Sequence, residues 1–339
     1  MSYTKQSLVT FKDSSSTGIS KIPNGRIIYV NSLMKFFIKD NSTNLLPSSI
    51  IDTAIINKNI IEMGTRYCNP YSKALLFGYN NLVSLSSTGV VLNNNITTTA
   101  TKRQSAGVNV DNNAVIYAGY NFGYSNLVSI IDFSGTLLQP ESNVGTARSN
   151  LAGAKSGSNA LFYQGSGGSY YNTTTLISKI GILVQAEANL GTVKMDLGAA
   201  NANTNALFYG GNGALWYNTT TLLSPTASLV QSETNVGTAR WGIGGSTLNI
   251  NCLFHGGDNS ILTNITTLMS PTAVLLQAEV NIGTHKRYVY GASVGINTMF
   301  YASQIQPETQ NISIITPSLT LAQSDVYISQ SIVGPLISF

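Results

Sequence analysis

Apolar residues in this chain come in short runs rather than long ones. "LFYQG" (161–165), "LFYGG" (207–211), "LFHGG" (253–257) and "MFYAS" (299–303) are each followed by a polar, aromatic or glycine-rich break and then by "TTTLIS", "TTTLLS", "ITTLMS" and "ISIIT". The runs are rich in Val, Ile, Thr, Tyr and Phe and are bounded by Gly, Asn, Ser and Pro, which is strand chemistry. No stretch of useful length places apolar residues at i, i+3 and i+4, so the pattern predicts an all-β chain.

The runs recur with a fixed period. Residues 143–188, 189–234, 235–280 and 281–326 align without a gap as units of 46 residues, opening on "NVGTAR", "NLGTVK", "NVGTAR" and "NIGTHK". Asp40, Ser86, Asp132, Ser178, Ser224, Ser270 and Thr316 follow one another at the same spacing, and each carries a short side-chain oxygen suited to bonding a turn backbone two residues on. An apolar pair sits five and six residues after each, from Leu45-Leu46 to Leu321-Ala322, which extends the count to seven units. Four short strands per unit, repeated every 40 to 50 residues, predict a β-propeller of seven four-stranded blades.

The two ends complement one another. Residues 26–52 match the last three strands of a unit and lack the first, while residues 327–339 stop after what would be the next first strand. A composite blade of three N-terminal strands and one C-terminal strand would remove the open edges at the seam. The expected organisation is an N-terminal arm over 1–20, a propeller over 21–339, and a joining segment near 53–63. The arm would attach to other proteins by adding a strand to a neighbour's sheet edge.

Composition narrows the partners. Only 9% of residues are charged and net charge is +4, with Lys and Arg scattered, so no basic stripe marks a nucleic-acid surface. The N-terminus has no signal-like apolar core and no run of about 18 apolar residues follows, which predicts cytoplasmic synthesis without membrane insertion. Cys68 and Cys252 have no partner spacing and point to neither a disulfide framework nor a zinc site.

Candidate chemistry is sparse, and most of it repeats. "GIGG" after Arg240 is not followed by a helix, and Gly237 recurs as Gly145, Gly191 and Gly283, so these glycines mark turns rather than a phosphate cradle. Glu141, Glu187, Glu233 and Glu279 hold one repeat position, and Arg148, Lys194, Arg240 and Lys286 another seven residues later. They read either as ion pairs fixing the loop that enters each blade or as a ring of like charges able to hold an anion. His255 and His285 fall at different repeat positions, so no catalytic or metal cluster converges, and neither enzyme activity nor a cofactor or metal is expected.

The loops after the "LFYGG" strands differ most between units. Tyr124, Tyr170, Tyr171, Trp216 and Tyr217 either form an exposed aromatic patch for sugar rings, beside Asn and Ser, or pack blade against blade. Trp241 has no aromatic counterpart in any other unit.

The "LFYGG" strand and the "GTAR" preceding a small-residue strand resemble kelch repeats. "NLVSIIDFSGTLLQPESNVGTAR" (126–148) and "NLVSLSSTGVVL" (81–92) more closely resemble the repetitive kelch-like propellers of tailed-bacteriophage virions, where they form tail fibres or other appendages. That resemblance implies a non-enzymatic structural virion protein, bound to other virion proteins and able to contact a host-surface glycan. The alternatives are a carbohydrate-binding, lectin-like propeller and a kelch-like protein-interaction module.

Overall fold

A computed structural model describes residues 9–11, 27–30, 35–39, 45–47, 73–86, 91–132, 135–305, 310–328 and 335–338. All described regular structure is β-strand, and the chain divides into two compact units, Met1–Tyr67 and Cys68–Phe339. The expected joining segment over 53–63 and Cys68 lie outside the described residues.

The smaller unit holds one sheet of β1 (Val9–Phe11), β2 (Ile27–Val30), β3 (Lys35–Lys39) and β4 (Leu45–Pro47), in that order. β1 runs parallel to β2, with Val9 opposite Ile28, so part of the expected free arm is paired inside its own unit.

The larger unit begins with β5 (Lys73–Ser86) and β6 (Val91–Lys102). Three four-stranded sheets follow. The first comprises β7 (Ala106–Val110), β8 (Asn113–Tyr120), β9 (Tyr124–Asp132) and β10 (Ser142–Asn143). The second comprises β11 (Ala152–Ser156), β12 (Asn159–Ser166), β13 (Tyr170–Ser178) and β14 (Ala188–Asn189). The third comprises β15 (Gly198–Ala202), β16 (Asn205–Tyr209), β17 (Thr219–Leu223) and β18 (Thr234–Asn235). A seven-stranded sheet then runs through β19 (Gly244–Leu248), β20 (Asn251–His255), β21 (Thr263–Met269), β22 (Val280–Val294), β23 (Asn297–Ile305), β24 (Gln310–Ile315) and β25 (Val326–Ile328). Finally β26 (Leu336–Ser338) joins β5 and β6 in a three-stranded sheet.

The chain is therefore an all-β propeller with five sheets as its blades, and the expected seven blades are not formed. Two events remove blades from the count. The last two repeats share one sheet because β22 stays extended for 15 residues, Thr263 pairing with Lys286 as well as Thr266 with Val280. The first repeat lies in the smaller unit, where β1 takes the edge that the C-terminal strand was expected to fill. The composite blade fails for the same reason: Leu336, Ile337 and Ser338 pair with Leu76, Leu75 and Ala74 of β5, not with residues 26–52.

Each strand position has its own composition. First strands read "AGVNV", "AGAKS", "GAANA" and "GGSTL" and alternate buried with half-buried residues around a central channel. Second strands open on Asn and then run largely apolar, buried on both faces as blades sandwiched between neighbours must be. Successive blades are stitched by rings, Tyr117–Phe162, Tyr163–Phe208 and Tyr209–Phe254, and His255–Phe300 makes the same contact within the seven-stranded sheet; all four pairs lie with centroids 5.0–5.1 Å apart.

After each of these strands the chain takes a left-handed step and then a more extreme one. Ala118, Gln164, Gly210 and Gly256 have φ of 64–73°, and Gly119, Gly165, Gly211 and Gly257 have φ of 110–115°. The first step tolerates Ala or Gln; the second suits only glycine, which explains why the diglycine looks incomplete in two units. The turn oxygens do what was expected at Ser224 and Ser270, which accept from the backbone N–H two residues on at 3.3 Å. Ser178, Ser224, Ser270 and Thr316 also accept from the N–H four residues on at 3.1–3.3 Å, which closes a wider turn as well.

Candidate functional site

Five cations at one repeat position are buried by the fold. Lys102, Arg148, Lys194, Arg240 and Lys286 are at most 1% exposed. Each reaches a hydroxyl 27 residues further on: Ser129, Thr175, Thr221, Thr267 or Ser313. That hydroxyl donates onward to the carboxylate opening the fourth strand.

The partners are not those seven residues away in sequence. Lys102 pairs with Glu141 at 3.1 Å, Lys194 with Glu233 at 3.7 Å, Arg240 with Glu279 at 3.8 Å and Lys286 with Asp325 at 4.0 Å. Glu187 meets Arg148 through Thr175. In four of the five carboxylates the second oxygen accepts from the threonine of "GT": Thr146 to Glu187, Thr192 to Glu233, Thr238 to Glu279 and Thr284 to Asp325, at 2.6–2.7 Å. Strand pairing, with the fourth strand folded back beside the third, brings together groups 39 residues apart. These charges staple each blade shut and leave no ring free to hold an anion.

Electrostatics follow from burial. Desolvation pulls Lys194 and Lys286 down to about 8. Burial pushes Glu233 upward, but donation from Thr221 and Thr192 and the charge of Lys194 outweigh it and hold the carboxyl below its usual range. Arg148 and Arg240 lie over the rings of Tyr117 and Tyr209 in the preceding blade, at 5.6 and 5.7 Å, so each staple also grips its neighbour.

His255 occupies the place that Tyr117, Tyr163 and Tyr209 hold elsewhere. Those hydroxyls donate to the carbonyls of Thr146, Leu190 and Thr238 at 2.5–2.9 Å. The imidazole meets Thr266 at 2.9 Å through Nδ1, while Nε2 is buried without a partner. Burial, with Lys286 and Arg240 nearby, drives its pKa well below the ordinary value. A histidine lowered in the fold binds fewer protons folded than unfolded, so stability is lost as pH falls from about 6.5. His255→Tyr restores a donor and removes that proton site. We expect a gain of about 1 kcal/mol at pH 7, read as a melting temperature about 2–4 °C higher, and a flatter melting profile between pH 7 and 5. His285 is exposed, on β22.

The loops between second and third strands share one end of the propeller with the segments that enter the blades. Antiparallel bridges join Arg103 to Tyr120, Ser149 to Ser166, Met195 to Asn212 and Trp241 to Asp258. Tyr124, Tyr170 and Trp216 hold one repeat position on three consecutive sheets and are 42%, 42% and 43% exposed. Tyr171 and Tyr217 turn inward instead. The Tyr171 hydroxyl donates to the carbonyl of Gly167 at 3.4 Å, and Tyr217 packs under Lys194, 5.9 Å from its ring. The five aromatic candidates thus divide into three that face solvent and two that build the loops.

Trp241 belongs to a cluster on the same face. Its ring meets Tyr288 edge-on at 5.4 Å, Arg287 lies over both rings at 5.6 and 5.5 Å, and Arg287 pairs with Asp258 at 3.0 Å. Tyr288 borders the mouth of the central channel, where Gln104, Asn150, Asp196, Gly242 and Tyr288 occupy one repeat position, all with φ of 50–64°. Each of three backbone N–H groups, of Asn150, Asp196 and Gly242, donates to the carbonyl of the residue before it around the ring, at 2.7–3.0 Å. Asp196 is the one acid among the five, and burial pushes its carboxyl up to about 7. Sequence reasoning passed over it, although an acid where other repeats have Gln, Asn, Gly and Tyr was the signal available.

Among the described residues, no group of three or more His, Cys, Asp or Glu could hold a metal ion, and Cys252 is a buried free thiol. The site and fold define a β-propeller with a polar, aromatic loop face. No protein-family model matches the chain, and no curated protein matches it.

Proposed function

We propose that this chain is a non-catalytic recognition propeller that binds a neutral, hydroxyl-rich ligand, a glycan, on its loop face. The observation that carries the reading is the row Tyr124, Tyr170 and Trp216, three aromatic rings at one repeat position and nearly half exposed. Aromatic faces stack on the apolar faces of sugar rings, and the amide- and hydroxyl-rich loops around them suit sugar hydroxyls. A surface with few charges fits a neutral ligand better than nucleic acid.

Trp216→Ala tests this directly. On a glycan array the full chain is expected to bind one class of oligosaccharide, and the variant to lose at least about tenfold in affinity while its melting temperature moves by less than about 2 °C. Unchanged binding, or a variant that loses its fold along with its binding, overturns the reading.

A second reading, a structural component of a phage particle in the manner of kelch-like virion propellers, is favoured by a different feature. Leu138, Val184, Val230 and Leu276 share one repeat position and are 46–49% exposed, a recurrent apolar position suited to contact with other proteins. Abundance of the chain in purified particles, measured by mass spectrometry, supports this setting, and its absence from them rejects it.

A further inference from the structure

The mouth of the central channel holds a carboxyl group that has no side-chain partner among the described residues. Asp196 makes no side-chain hydrogen bond or ion pair with any described residue; its backbone alone is engaged, in the ring of bonds around the channel. The nearby cation Arg287 is committed to Asp258 at 3.0 Å. Asn150 donates a side-chain N–H to the sulfur of Met195 at 3.7 Å, and its amide oxygen accepts from no donor among the described residues. Gly242, next in the ring, has no side chain, and the whole cavity that these residues line holds about 80 Å³. Tyr288 and Tyr290 border the same space, and the charge of Asp196 bears on both.

We propose that this channel mouth is a binding site for one alkylammonium group, held by the Asp196 carboxylate and the amide oxygens of Asn150 and Gln104. An ammonium supplies one positive charge and three donors, which matches one carboxylate and two neutral acceptors. A divalent ion would need more oxygen ligands and more charge than one carboxylate provides. The site is independent of the aromatic row, so either can fail without the other.

Calorimetric titration of the full chain at pH 8 and fixed ionic strength tests it, with methylammonium chloride and Nα-acetyl-lysine methylamide as probes. Both are expected to bind saturably; tighter binding of the lysine derivative identifies the lysine of a docked protein as the natural source, and equal binding identifies a free amine. Asp196→Asn reproduces the side chain that Asn150 already presents at the equivalent place, so it should fold, and it is expected to weaken binding at least about tenfold. Asn150→Gly, with Gly242 as its precedent at this φ, keeps the carboxylate and is expected to weaken binding about threefold. Wild-type binding should also fade between pH 8 and 5, because Asp196, raised to about 7, takes up a proton in that range. Equal affinity in wild type and Asp196→Asn, no binding of either amine, or tighter binding of calcium chloride overturns the proposal.

Discussion

Replacing Arg240 with Met is expected to destabilise the propeller by about 4 kcal/mol, enough to lower its melting temperature by roughly 10 °C in a calorimetric scan. The guanidinium is fully buried. It donates to the carbonyls of Gly256 and Ile265 at 3.0 and 2.5 Å and to the Thr267 hydroxyl, and it faces Glu279 at 3.8 Å. Its removal leaves Glu279, only 16% exposed, without its cation and takes a donor from the carbonyls of Gly256 and Ile265, of which Ile265 still accepts from the Gly256 N–H. That penalty is the larger part of the effect, since the net worth of an intact buried pair is small. Two comparisons separate the parts. Arg240→Lys should cost about half as much, because Lys102, Lys194 and Lys286 do this work in other blades. Arg240→Met combined with Glu279→Gln should recover part of the loss, because the stranded charge is gone. A single Met variant as stable as wild type would show that the staple contributes nothing.

Gly245→Ala is expected to cost about 3 kcal/mol or more, measured by denaturant unfolding. Gly245 lies in β19, where a Cβ would stand 2.5 Å from the backbone nitrogen of Ala199 and 2.6 Å from its carbonyl carbon. Those are backbone atoms of the neighbouring inner strand, and they cannot rotate away. The strain would pass on, because Gly291 lies against the carbonyl of Gly245 in turn. Gly123→Ala is the matched control. Its Cβ would meet nothing within 4 Å, and its backbone needs no left-handed angle, so the change should be neutral or slightly stabilising. Equal effects at the two glycines would refute close inner-strand packing as the cause.

Much of this was written locally. Strand character, the four pieces per repeat and the 46-residue period follow from side-chain periodicity and turn residues, which act over a few neighbours. The repeated Glu and the repeated Arg or Lys were equally plain as positions. Their partners were not. Sequence proximity joined Glu233 to Arg240, whereas strand pairing joins Glu233 to Lys194 and Arg240 to Glu279. The aromatic loops show the same limit: Tyr170 and Tyr171 are adjacent in sequence, and only the fold turns one outward and seats the other on Gly167.

The sequence by itself determined an all-β repeat architecture and the sparseness of its charge, because hydrophobic alternation and turn chemistry are short-range. Only the tertiary structure decided how many blades close the ring. That choice rests on which edges find partners: β1 beside β2, β26 beside β5, and β22 carried unbroken from one repeat into the next. Edge pairing depends on distant segments meeting in space, which no local pattern encodes. The same meeting of distant segments sets Asp196, Asn150, Gln104 and Tyr288 around one channel mouth.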